Sequence, residues 1–196
     1  TINGGLRLTG SKIVARWNDS AQIDKLLTTV DLQSEALTYT LAMTYRPNEK
    51  WQINSLISSG FRNPNIDDIG KIRENNGILL VPNSFLKPEY AYTLESGIKY
   101  TSSNKINYID LRAFTTLVSR HIVRSDFIVF SDTSTLDEDT ILYNEEEVFT
   151  QANKNLGNRF IYGGSLQGKW VLSDPIEISG GITYTTADQN ADYGPM

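Results

Sequence analysis

Residues 90–100 read YAYTLESGIKY, and the apolar side chains of this stretch occupy alternate positions. One face carries Tyr90, Tyr92, Leu94, Ile98 and Tyr100, with Ser96 as its one polar residue, and the other face carries small, polar and charged residues. Successive side chains of a β-strand point to opposite faces, so a period of two predicts a strand with one apolar and one polar face. The stretch lacks the three- and four-residue spacing of an amphipathic helix.

The same alternation recurs along the chain and predicts an all-β fold, an antiparallel meander of about seven long strands. Several of these strands reach about a dozen residues, whereas strands of globular sheets usually have about five or six. A tilted transmembrane strand needs about nine to eleven residues, so the lengths favour a transmembrane β-barrel. The predicted strands lie near residues 5–16, 35–46, 50–60, 89–101, 105–120, 158–172 and 175–187.

The connections alternate between short and long. Short turns rich in Pro, Asn and Ser are predicted at 46–50, 102–105 and 173–175. Long loops are predicted at 17–34, 61–88 and 121–157. In an antiparallel meander this alternation places every long loop on one side, which is typical of outer-membrane barrels.

Aromatic residues on the apolar faces cluster at two levels of the predicted sheet. We interpret the two levels as girdles that bound an apolar band of about 25 Å. The alternative interpretation is that these side chains fill the core of a soluble sandwich. Those near the short turns are Tyr45, Trp51, Tyr100 and Trp170, and those near the long loops are Tyr90, Tyr92, Tyr162 and Tyr184.

The composition argues against several other classes of function. The formal net charge is −5, so no basic face for nucleic acid is expected. The chain has no cysteine and one histidine, His121, which leaves no obvious metal centre or catalytic triad. We therefore predict neither an enzyme nor a cofactor, and we expect His121 to be exposed and without a ligand role.

The stretch from Asp126 to Asn153 contains eight acidic residues and no Lys or Arg. A calcium site using Asp137, Asp139 and Glu145 is one interpretation, although the spacing of a twelve-residue calcium loop is missing. A solvated acidic loop is the other interpretation, and it is favoured.

Two motifs, in order, resemble signatures of TonB-dependent receptors. Residues 56–65 read LISSGFRNPN and resemble the Gly-Phe-Arg-Ala-Pro signature, with Asn63 in place of alanine. Residues 83–89 read NSFLKPE and resemble Asn-Pro-x-Leu-x-Pro-Glu, with Ser84 in place of proline. Residues 95–97 continue the pattern as Glu-x-Gly, and residues 162–168 are similar to a later strand of the family. The motif residues are Gly60, Phe61, Arg62, Pro64, Asn83, Leu86, Pro88, Glu89, Glu95 and Gly97.

The resemblance implies that this chain is part of a larger barrel. Such transporters have about 22 strands and a plugged lumen, so we expect the plug domain and the C-terminal strands to be missing here. Arg62 is expected to pair with a carboxylate in the lumen, and Glu95 and Lys99 are expected to face the lumen.

The function implied by the resemblance is energy-dependent uptake of a scarce ligand across the bacterial outer membrane. The ligand is expected to be an iron–siderophore complex, a cobalamin or a glycan, bound by loops 61–88 and 121–157. Expected partners are outer-membrane lipid, the rest of the barrel and plug, and the TonB energy-coupling complex. Two alternatives stay open: a passive porin-like or adhesin barrel, and a soluble carbohydrate-binding β-sandwich.

Overall fold

The computed structural model of the chain describes residues 1–16, 29–128, 140–143, 145–173 and 175–188. Within these ranges, no helix has the length and apolar character that crossing a membrane requires. The elements in chain order are β1 (Ile2–Arg16), β2 (Thr29–Tyr45), β3 (Trp51–Arg62), α1 (Ile66–Gly70), β4 (Arg73–Asn75), β5 (Ile78–Leu80), β6 (Glu89–Thr101), β7 (Tyr108–Asp126), β8 (Thr140–Tyr143), β9 (Glu146–Ser173) and β10 (Ile176–Ala187).

The seven long strands form one curled antiparallel sheet in chain order, β1-β2-β3-β6-β7-β9-β10. Each long strand pairs with the next one along the chain, which confirms the predicted meander. Strand β6 coincides with the predicted range 89–101, whereas β2, β7 and β9 are longer than predicted. The long connections all join at one end of the sheet, which we call the loop end, and the short ones join at the turn end.

The apolar face of the sheet, here called the outer face, is uncovered. Strand register places Ile57 beside Leu94, and the side chain of Leu94 is 49% exposed. Leu6 and Ile182, near the two edges, are 79% and 70% exposed. Exposed apolar area on this scale is unfavourable in water and favourable against hydrocarbon. The described residues contain no second sheet against this face, so the sandwich alternative is wrong for this part of the chain.

The three long connections contain more structure than predicted. Connection 61–88 contains α1, β4 and β5, while β2 begins at residue 29 inside the range 17–34. Connection 121–157 is largely strand, because β7 continues to Asp126 and β9 begins at Glu146. The local causes are a capping box between Asn65 and Asp68 and a turn at 76–77 with positive φ at both positions.

Buried apolar side chains concentrate at the loop end, on the polar face of the sheet, here called the inner face. One cluster joins Ile69 of α1, Leu86 and Ile122 of β7, with Ile13 and Leu32 packed against it. A second cluster joins β5 to β9 and consists of Leu79, Val81, Val148 and Ala152. The described residues therefore form two small cores at the loop end, and few side chains of the long sheet itself are buried.

Candidate functional site at the loop end

Residues 63–88, here called the bridging segment, cross the inner face from one hairpin to another. At one end Asn63 donates from Nδ2 to the Ser11 hydroxyl of β1 at 2.7 Å. At the other end, β5 adds to the edge of β9 as a parallel strand, with Ile78 opposite Phe149. The bridging segment therefore connects the β1–β2 hairpin to the β7–β9 hairpin.

Two asparagine side chains, those of Asn155 and Asn83, fix the C-terminal part of the bridging segment. The Asn155 amide accepts from Lys87 N at 2.8 Å and donates to Lys87 O at 2.9 Å and to Arg120 O at 2.8 Å. Asn83 donates from Nδ2 to Asn153 O at 2.8 Å. Because these bonds satisfy backbone groups that no ladder reaches, they substitute for strand pairing.

Helix α1 is fixed by the carboxylate of Asp68. Its Oδ2 accepts from Asn65 N at 3.0 Å and lies 3.3 Å from Arg62 Nη1. Its Oδ1 lies 3.3 Å from Asn153 Nδ2 on β9. One carboxylate thus caps the helix and ties it to two strands of the wall. Arg62 pairs with carboxylates, as predicted.

Glu89, the first residue of β6, joins three strands. Its Oε2 accepts from His121 Nδ1 at 2.8 Å and from Ile122 N at 2.7 Å, and its Oε1 lies 3.9 Å from Arg62 Nε. The expectation that His121 is exposed is wrong, because its side chain is 29% exposed and pairs with Glu89. The sequence did not predict this contact because Glu89 and His121 are far apart in the chain. They meet only through the register of β6 and β7.

Strands β7 and β9 both change backbone conformation beside this network. Arg120 has φ of 56°, and Gly157 has φ of 40°. Ladder pairs Ser119–Asn158 and His121–Leu156 flank this point. A left-handed conformation costs a residue with a side chain about 1 kcal/mol or more. The kink leaves Ile122 buried with α1, whereas the Arg120 guanidinium lies 5.6 Å from the ring centre of Tyr90 on the outer face.

Further toward the turn end, the inner face carries an ion-pair network. Arg112 contacts Asp110 at 3.1 Å and Glu95 at 3.3 Å. A Cβ at Gly97 would lie 2.9 Å from Arg112 Cγ, so the glycine makes room for the arginine to lie along the wall. Lys99 places Nζ 4.3 Å from the Tyr108 ring centre. The polar inner face suits a lumen that contains water or protein.

The structure brings only some of the predicted motif residues together. Arg62 and Glu89 meet across β3 and β6, Pro64 and Leu86 are buried, and Asn83 anchors the bridging segment. Gly60, Phe61 and Pro88 are near this network in sequence, whereas Glu95 and Gly97 lie farther along β6. Sequence reasoning missed Asn153, Asn155 and Arg112. Asn153 and Asn155 are in a stretch predicted to be loop, and the Arg112 pairing depends on register.

The side chains of the predicted girdle aromatics lie on the outer face of the sheet. Near the turn end, Trp51 and Tyr100 are in contact, with ring centres 4.9 Å apart, and Trp170 is 45% exposed. Near the loop end, Tyr90 and Tyr92 stack at 6.3 Å. Tyr45, Tyr162 and Tyr184 are exposed.

No group of three metal-binding side chains occurs within the part of the chain that the structure describes. Of the calcium candidates, Asp137 and Asp139 lie outside the described residues, so that hypothesis stays untested. Glu145 lies in a turn with φ of 71°.

The sequence matches the profile described as TonB dependent receptor-like, beta-barrel, over residues 1–195. The chain belongs to this family. As a TonB-dependent receptor barrel, it is similar in fold to the Serratia marcescens hemophore receptor HasR in complex with HasA and heme, with 18% identity and a TM-score of 0.62. It is also similar to the copper transporter OprC, with 15% identity and a TM-score of 0.69. The siderophore receptor PirA from Acinetobacter baumannii has 19% identity and a TM-score of 0.64.

These alignments cover most of this receptor chain and a smaller part of each structure. The alignment with HasR covers 95% of this chain and 31% of HasR. The alignment with OprC covers 98% of this chain and 27% of OprC. The alignment with PirA covers 83% of this chain and 25% of PirA. The chain thus spans about a quarter to a third of the length of these structures. A comparison of the sequence with curated proteins finds no match.

Proposed function

We propose that this chain forms part of the wall of an outer-membrane receptor for energy-dependent uptake of a scarce ligand. The observation that carries the proposal is the family match over residues 1–195, on a sheet whose outer face exposes apolar side chains. An iron–siderophore complex, a cobalamin or a glycan is the proposed ligand. The similar structures are a hemophore receptor, a siderophore receptor and a copper transporter, and they support nutrient uptake in general.

The proposed surroundings of the sheet follow from its two faces and two edges. Outer-membrane lipid covers the outer face, and the eight predicted girdle aromatics lie at its two interfaces with water. Within the described residues, β1 pairs only with β2, and β10 only with β9, so each has one unpaired edge. Further strands of a barrel satisfy such edges. The partners proposed are therefore the rest of the barrel, a plug domain inside it and the TonB complex that acts through the plug.

Ligand contacts are proposed at the loop end, in 61–88 and 121–157. The bridging segment holds Phe85 82% exposed and Ile66 55% exposed, while neighbouring Leu86 and Ile69 are buried. Phe149, in the β9 extension, is 60% exposed. Backbone fixed by hydrogen bonds presents these side chains at a small cost in conformational entropy on binding. A bridging segment across the inner face also favours a gated receptor over an open porin.

The test is growth of a strain lacking the receptor that contains this chain, with ferric enterobactin, cobalamin or an oligosaccharide as the limiting nutrient. We expect the strain to fail to take up one of these nutrients. Deleting the TonB complex should abolish uptake of the same nutrient. Uptake of small solutes through the receptor that continues without the TonB complex contradicts the proposal and favours a passive pore. Loss of cell adhesion, with all nutrient uptake unchanged, favours an adhesin.

A further inference from the structure

We propose that Arg120, presented over Tyr90, binds the phosphate of an outer-leaflet lipid at the loop-end rim of the outer face. The inference goes beyond ligand uptake, because it concerns the face opposite the lumen. It requires only that the sheet is a membrane wall.

The first observation is that Arg120 departs from the alternation of β7. Val118 and Ile122 are both buried, at 8% and 7% exposure, and Ile122 packs against α1 on the inner face. A regular strand would direct the residue between them to that same face. The positive φ of Arg120 redirects its side chain, and the guanidinium contacts Tyr90 instead. A conformation that is unfavourable for arginine therefore moves a cation from the lumen to the outer surface.

The second observation is the position of the platform under the guanidinium. Tyr90 stacks on Tyr92 with an angle of 11° between the rings, and its ring centre is 6.3 Å from that of Phe61. Tyr92 is 41% exposed on the outer face, in the same row as Leu94. Tyrosine rings prefer the boundary between hydrocarbon and headgroups. Arg120 lies over the Tyr90 ring, which is the ring nearest to the loop end. In a membrane-spanning barrel this level is that of the lipid headgroups.

The third observation is a second cation beside Arg120 with no acidic partner. The Asn155 Nδ2 atom donates to the carbonyl oxygens of both Arg120 and Lys87, so the two backbones are neighbours. Both side chains are exposed, and neither forms an ion pair within the described residues. A guanidinium binds phosphate through paired N–H donors, and a nearby ammonium adds attraction.

One acidic residue lies on the other side of the platform. The Tyr90 hydroxyl donates to the Glu35 carbonyl oxygen at 3.3 Å, and the Glu35 side chain is exposed. Its carboxylate opposes an anion, so Arg120, Lys87 and Glu35 together carry one net positive charge. The rim therefore favours a phosphate that reaches it along the membrane plane from the Arg120 side.

The test uses the complete receptor in detergent micelles with added lipid A and native mass spectrometry to count bound lipids. We expect Arg120→Gln to weaken lipid A binding about fivefold, because one basic residue near a charged membrane surface contributes about 1 kcal/mol. Lys87→Gln should weaken it less, and Glu35→Gln should strengthen it. Lys105→Gln, at the turn-end rim, is the matched control and should change nothing.

Lipid A without its phosphates separates charge recognition from apolar contact. The parent receptor should prefer phosphorylated lipid A, and Arg120→Gln should remove most of that preference. The proposal is overturned if Arg120→Gln keeps the preference, or if inorganic phosphate at equal phosphate concentration displaces the lipid completely. Melting temperature without added lipid identifies a variant that fails to fold. Arg120→Lys, which keeps the charge, should then retain part of the binding. Ligand uptake is measured separately, so its absence does not decide this result.

Discussion

The Glu89 carboxylate accepts hydrogen bonds from His121 Nδ1 at 2.8 Å and from the Ile122 backbone at 2.7 Å. The second bond lies beside the kink of β7, where the backbone turns toward the inner face. Glu89 is 16% exposed, so water competes weakly for its oxygens. The carboxylate therefore holds the loop-end part of the β7–β9 hairpin in its position over the bridging segment.

Replacing Glu89 by Gln should loosen that hairpin. The amide keeps the shape but loses the charge-assisted bonds, which contribute about 1.5–3 kcal/mol each when made to charged groups. We expect the Ile122 amide to exchange its hydrogen about tenfold faster in the complete receptor. Glu177→Gln, which removes an exposed pair with Lys169 near the turn end, is the control. Equal protection of Ile122 in both variants contradicts this role for Glu89.

Asn155 should control access to the bridging segment. Asn155→Ala removes three hydrogen bonds at Lys87 and Arg120, each contributing about 1 kcal/mol. We expect faster tryptic cleavage after Lys71 or Arg73 on intact cells. Asn158→Ala, an exposed residue three positions on in β9, should leave cleavage unchanged. If both variants are cut at the parent rate, the asparagine does not anchor the segment.

Gly163 should tolerate no side chain. A Cβ there would overlap the Tyr184 carbonyl oxygen and lie 2.9 Å from Phe114 Cζ, so the backbone of β9 or β10 must shift and the ring must give way. We expect Gly163→Ala to lower the free energy of unfolding by about 1–3 kcal/mol, as overpacking does. Gly60→Ala, with no heavy atom within 4 Å of the added Cβ, should cost much less. Urea titration of receptor refolded in lipid vesicles provides the measurement, and similar costs for both variants would refute the packing argument.

The two faces of β3 should respond in opposite ways to a positive charge. Ile57→Arg places a guanidinium on the outer face and should destabilise the barrel by about 2 kcal/mol or more. Ser58→Arg, the next residue, places it on the polar inner face and should cost far less. The folded fraction in outer-membrane extracts, read from heat-dependent mobility in SDS gels, distinguishes them. A larger loss for Ser58→Arg means that the assignment of the faces is reversed.

The sequence was sufficient to predict the long strands of the sheet, but it was insufficient to predict the structure of the loop end. Alternation located β6 to the residue, because every second side chain of 90–100 is apolar except Ser96. The β4–β5 hairpin was also detectable, since Asn76–Gly77 is a strong turn signal. The loop-end parts of β7 and β9 were not, because the eight acidic residues between Asp126 and Asn153 favoured the interpretation of a solvated loop. The Glu89–His121 pair depends on strand register, which periodicity alone leaves undefined.

Strand β9 has 28 residues. At about 3.3 Å per residue it follows a path of about 90 Å, whereas the apolar band measures about 25 Å. Residues 146–156 therefore stand well outside the bilayer. In the proposed barrel they form the part of the wall that a large molecule outside the cell contacts first, while the rest of the strand is shielded by lipid.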